Sequence, residues 1–114
     1  MSLFDRDLDL FYVEGHDVTV YPVPANQVEA YLAASQAGVT VRGLFHVRDV
    51  LADNGEVAVE IEQPIFETTR ANAVAASMAV YTHSIAYGGV VYDIVRRAFK
   101  DPGIYEFWLE ELVL

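Results

Sequence analysis

Residues 81–114 read YTHSIAYGGVVYDIVRRAFKDPGIYEFWLEELVL, and the punctuation of this stretch decides the fold class. Gly88-Gly89 separates two runs of β-favouring residues and offers the positive backbone angles of a tight hairpin turn. Lys100-Asp101-Pro102-Gly103 supplies turn chemistry a second time, between Tyr92–Phe99 and the aromatic-rich run Ile104–Leu112. The last third is therefore expected to form three consecutive strands, the first at Val80–Ile85, closing on a terminal hairpin.

Working towards the N-terminus, Glu56–Gln63 alternates with a period of two, which predicts a strand with Val57, Val59 and Ile61 inward and Glu56, Glu60 and Glu62 outward. Pro64 is expected to close it. Val39–Phe45 is a further strand, with Gly43 on its apolar face, where a missing side chain lets the chain bend or another backbone approach. Between these two runs, His46–Gly55 is polar and ends Asp53-Asn54-Gly55, the pattern of a mobile loop over 46–55. Asp17–Tyr21 alternates and carries β-branched residues until Pro22 and Pro24 interrupt it. Gln27–Ala34 favours a short helix capped by Asn26 and stopped by Gly38. Ile65–Thr69 suits a strand and the alanine-rich Ala71–Met78 a helix. Residues 1–15 place Leu3, Phe4, Leu8, Phe11 and Tyr12 on one helical face, as an N-terminal helical arm. These elements predict a single, mainly β domain over 1–114. The expected form is a small β-sandwich or partly open β-barrel of about six to eight strands, with one or two short peripheral helices.

Composition narrows the function. With 54% hydrophobic and 12% aromatic residues the chain can build a core, which excludes disorder throughout. There are no cysteines, so disulfides, thiolate metal sites and cysteine nucleophiles are excluded. No apolar run approaches the ~18 residues of a membrane-spanning helix, and the acidic start is unlike a signal peptide, so a soluble, unexported protein is expected. The net charge of −10 repels a phosphate backbone and disfavours a nucleic-acid-binding groove. It is compatible with a channel through which DNA slides without sticking, although a plain solubility role for the acids is the commoner reason for such a charge.

Candidate chemistry is sparse. Asp5-x-Asp7-x-Asp9 imitates the start of a calcium loop, but Leu10 and His16 stand where that loop needs glycine and glutamate. His16, His46 and His83 lack helical i, i+4 partners, and neither a phosphate-binding loop nor a nucleophile elbow occurs. Glu106 and Glu110 fall on one strand face beside Trp108, where a solvated sheet face accounts for them. No catalytic residue, metal or cofactor is therefore expected. Arg96, Arg97 and Lys100 form a basic cluster that either balances Glu106 across the hairpin or pairs with an acidic patch on a neighbouring subunit. Tyr81, Tyr87, Tyr92, Tyr105, Phe107 and Trp108 exceed what one face of a small sheet buries, so part of the set is expected to anchor a partner.

Several motifs recur in one order: Val41-Arg42-Gly43-Leu44-Phe45 ahead of the 46–55 connection, the glycine-opened run Gly55 to Ile61, Pro64, and the closing pair Tyr92–Phe99 and Ile104–Glu110. In this order and spacing, over about the last two-thirds of the chain, they resemble the small head-tail joining (head-completion) proteins of tailed bacteriophages, of the lambda and Gifsy type. Alanines and Met78 stand where that family carries a charged or glycine-containing turn, and Pro24–Gln36 has no counterpart. The resemblance implies a non-catalytic virion protein without cofactor, present in the host cytoplasm during assembly and then in the virion. Its implied partners are further copies of itself, in a hexameric ring within the virion with a monomer left open as the state of the free subunit, the portal or adaptor protein, and the tail or tail-terminator protein. DNA would pass through the ring without specific binding. Arg96, Arg97, Lys100, Tyr105 and Trp108 become the expected subunit interface, and His46, Val47, Arg48, Asp49, Asp53 and Asn54 the expected channel or stopper loop. One alternative is a phage tail terminator or tail-tube subunit, whose sign would be a long stacking hairpin that the sequence does not show. Another is a small ligand-binding barrel or enzyme, which needs a polar cluster in a closed cavity.

Overall fold

The computed structural model describes residues 15–53 and 58–112, so the expected helical arm, the Asp5-Asp7-Asp9 pattern and Asn54 lie outside the described residues. Six antiparallel strands close into a barrel in the order β1-β2-β3-β6-β5-β4. They are β1 (His16–Tyr21), β2 (Val39–Asp53), β3 (Ala58–Thr69), β4 (Ser84–Tyr87), β5 (Val90–Asp101) and β6 (Ile104–Glu111). A 3-10 turn at Ala25–Gln27 leads into helix α1 (Val28–Ala33), and helix α2 (Arg70–Ala75) follows β3 directly. The mainly β fold with short helices expected from the sequence is therefore present, with the sheet closed.

Turn chemistry sets the three C-terminal strands. Gly88 and Gly89 have φ of +60° and +81°, the double left-handed conformation of a two-residue turn whose twist matches the strands it joins. At the second turn Pro102 fixes the first central angle and Gly103, at φ +87°, takes the second, between the paired Asp101 and Ile104. Alternation then fills the barrel. Val18, Val20, Val41, Phe66, Ile85, Ile94, Phe107 and Leu109 converge in one core, each at most 4% exposed. Removing such side chains from water stabilises the fold by ~1.5–3 kcal/mol apiece. Helix α2 joins this core through Ala73, while Ala76 and Met78 follow it in. Thr69 caps the helix, its Oγ1 accepting from the Asn72 N–H at 3.1 Å, and Asn72 Nδ2 and Thr68 Oγ1 both donate to the Arg42 carbonyl.

Strand β2 changes partner in mid-course. It pairs with β1 from Val39 to Gly43 and with β3 from Leu44 to Asp53. Gly43 sits at the change, where a Cβ would lie 2.1 Å from the Glu67 carbonyl oxygen and 2.8 Å from the Phe66 ring. The close backbone approach expected at this glycine is thus found. Beyond it, residues 47–53 and 58–64 pair with each other alone, because β1 leaves β2 at Gly43 and β6 reaches β3 only at Ile65. The result is a two-stranded arm, ~23 Å long at 3.3 Å per residue.

Several expectations are corrected here. His46–Asp53 is strand, not a mobile connection: cross-strand pairing with β3 satisfies its backbone, and the exposed Val47 and Asp49 account for the polar reading. Pro64 does not end β3, because it lies opposite Val47 on an edge that β6 does not yet cover, and a residue without an N–H is tolerated there. Ile61 is 43% exposed instead of inward, since the arm has no core beneath it. Strand β4 begins at Ser84, with Val80 to Thr82 in a turn where Tyr81 has φ +66°. Asn26 falls inside the 3-10 turn and α1 has no side-chain cap.

Candidate functional site

The register across β2, β3, β6 and β5 builds a charged site on the barrel's outer face. One row runs Phe45, Phe66, Phe107, Arg97, with its three phenylalanines towards the core. The neighbouring rows, Leu44-Glu67-Glu106-Ala98 and His46-Ile65-Trp108-Arg96, therefore lie on the other face. Glu67 and Glu106 stand directly opposite each other at 2% and 6% exposure. Two buried like charges so placed would destabilise the sheet unless compensated.

Compensation comes from strands two places away. Lys100 Nζ on β5 reaches Glu67 Oε1 at 2.9 Å, and Arg48 Nη2 on β2 reaches Glu106 Oε2 at 2.7 Å. His46 Nε2 lies 3.3 Å from Glu67 Oε2, near enough for charge but angled so that no hydrogen bond forms. Trp108 Nε1 is the other buried nitrogen without a hydrogen bond among the described residues, and Arg96 covers its ring at 4.6 Å. The expectation that Glu106 lies on a solvated face is thus overturned: neighbouring side chains on this face bury it.

His46, Glu67 and Glu106 bring one ligand atom each within 4.8 Å of one another, the one grouping among the described residues that could converge on a cation. Charge decides against that use. Arg48 and Lys100 already neutralise the two carboxylates, and a divalent ion would leave two uncompensated positive charges beside side chains only 3% and 8% exposed. What the network does is mechanical. Arg48 and His46 belong to the root of the arm, and their pairing with Glu106 and Glu67 fastens it to β6 and β3. Gln63 adds a further tie where Pro64 separates the arm from β6, its Nε2 donating to the Leu109 carbonyl at 2.7 Å.

The expected interface residues do not form one patch. Lys100 is held by Glu67, and Arg96 and Trp108 stack on the outer face. A bulge between Ile94 and Arg96 shifts the alternation, and Arg97 lies on the opposite face, 5.6 Å and 5.3 Å from the rings of Phe99 and Tyr105. Of the expected loop residues, Val47 and Asp49 are exposed on the arm and Asp53 is its last β2 residue. Glu67 went unnoticed in the sequence, although a lone charge within Ile65-Phe66-Glu67-Thr68-Thr69 is the signal of a buried, paired carboxylate. Away from the network, partial burial lowers the His83 pKa, and burial with the opposing Glu111 raises that of Tyr92.

No family model matches the chain, and no curated protein is significantly similar to it.

Proposed function

We propose that the chain is a non-catalytic structural subunit of a tailed-phage virion, placed at the head-tail junction in a ring through which DNA passes. The observation that carries this reading is a small barrel filled to its centre from which a charged arm projects, its root fixed by the Arg48–Glu106 and His46–Glu67 contacts. A filled interior suits a building block better than a ligand-binding barrel, whose site needs an open cavity. Exposed Val47, Ile61 and Phe99, at 43–67%, supply apolar surface for neighbours. The ordered motifs that resemble head-completion proteins are the support for this place in the virion, and the −10 charge suits a wall that does not hold DNA.

The arm also favours a second reading within the same class, a tail terminator or tail-tube subunit, since a long hairpin suits stacking of one ring on the next. Deleting the gene from its phage or prophage separates the two. A joining protein should leave DNA-filled heads and free, finished tails; a terminator should leave tails of unregulated length, because nothing stops their growth. Normal plaque formation by the deletion would refute both.

A further inference from the structure

Three of the chain's arginines have no carboxylate partner among the described residues, in a protein with 17 acidic side chains: Arg70, Arg96 and Arg97. Arg96 is occupied by the Trp108 ring. Arg97 lies over Phe99 and Tyr105, and Arg70 lines with those two rings a surface hollow of about 450 Å³ beside the β5–β6 turn. Phe99 is 67% exposed there. Lys100 and Asp101 line the hollow as well, but Lys100 is held by Glu67, so two arginines stand against one carboxylate and the corner is on balance cationic as well as aromatic, the composition of a protein-binding hot spot.

The arm carries the complement. Asp49 and Glu62 are paired directly across it, both exposed, and no cation meets either among the described residues. Opposed like charges destabilise a hairpin until something positive approaches. The adjacent pair on that face is Val47 and Pro64, with Val47 53% exposed. An apolar step followed by two carboxylates thus faces, in chemistry, an exposed ring followed by two guanidinium groups. Alternation from the Phe45-Phe66-Phe107-Arg97 row puts both patches on the same face of the sheet. They lie at its opposite ends, since β3 runs from the arm at Ala58 to Thr69, which pairs with Ile104 beside the turn.

We propose that the Val47, Asp49, Glu62 and Pro64 face of one copy docks on the Arg70, Arg97, Phe99 and Tyr105 corner of the next, a contact that rests on reading the chain as a self-assembling subunit. Arginine forks each carboxylate, and Phe99 covers Val47. Because the two surfaces differ, every copy carries both halves, and the contact is head-to-tail: it closes into a ring where the rotation permits and otherwise grows as a filament.

Sedimentation velocity on the full chain at low salt, over a concentration series, tests this with two variants whose near-UV circular dichroism matches the parent. Arg70→Glu with Arg97→Glu reverses the corner, and Asp49→Lys with Glu62→Lys reverses the arm. The parent should associate beyond dimers, and each variant alone should lose roughly 30-fold or more in association constant. An equimolar mixture should associate again, because acidic arms then meet basic corners and basic arms meet acidic ones. A monomeric parent, variants that associate like it, or a mixture that stays monomeric would each overturn the proposal. The readout needs no phage, so a contact that holds while the gene deletion is silent would remove the virion role and leave the interface standing.

Discussion

Replacing Gly43 by alanine should loosen the point at which β2 leaves β1 for β3. The added methyl would sit 2.1 Å from the Glu67 carbonyl oxygen and 2.8 Å and 2.9 Å from two atoms of the Phe66 ring, whereas ordinary contact begins at 3.4 Å. Neither neighbour yields easily. The carbonyl belongs to a paired strand, and Phe66 is 0% exposed in the packed core. Inserting a methyl group into such a site costs ~1–3 kcal/mol, and the backbone partner puts Gly43→Ala at about 2–3 kcal/mol. For a domain of this size that is a fall of roughly 8–13 °C in Tm. Urea unfolding followed by tryptophan fluorescence should show a lower midpoint with an unchanged slope. Because Glu67 must move, the substitution should also weaken the Glu67–Lys100 pair, so Lys100→Met should cost less in the alanine background than alone. An unaltered midpoint would refute the packing argument, and additive effects would refute the coupling.

Lys100→Met leaves Glu67, 2% exposed, without its ammonium partner. Because Lys100 is itself 47% exposed, the expected loss is about 1–2 kcal/mol, between the values for surface and buried pairs, and adding Glu67→Gln should recover part of it in the same urea assay. His83, its pKa lowered from 6.5 by burial, holds its proton less tightly folded than unfolded. Its contribution is complete above about pH 6.5 and is lost as the pH falls through the folded value, so His83→Gln should flatten the decline of the unfolding midpoint below neutrality; parallel curves would refute this. With a net charge of −10 the protein should not retard duplex DNA in a gel even at low salt, and a salt-sensitive shift at micromolar protein would end the non-binding channel reading.

The network at the root of the arm is where local and global physics diverge most. Nothing in the spacing of His46, Arg48, Glu67, Lys100 and Glu106 brings them together, for the pairs lie 21, 33 and 58 residues apart. They meet because strand order places β2 beside β3, β3 beside β6 and β6 beside β5, so side chains from four strands share one face. The same order turned a run of polar residues into an ordered arm, since polarity reports contact with water and says nothing about whether a partner strand is present.

Local chemistry alone determined the β class, the Gly88-Gly89 and Pro102-Gly103 turns, the C-terminal strands and the close approach at Gly43. Each of these depends on backbone angles or side-chain size within a few residues. Tertiary structure alone decided that the sheet closes, that β3 runs through Pro64, that Glu106 is buried, and that a bulge ahead of Arg96 turns Arg97 to the face of Phe107. Those outcomes turn on register between strands distant in sequence, and a shift of one residue exchanges the two faces of a strand.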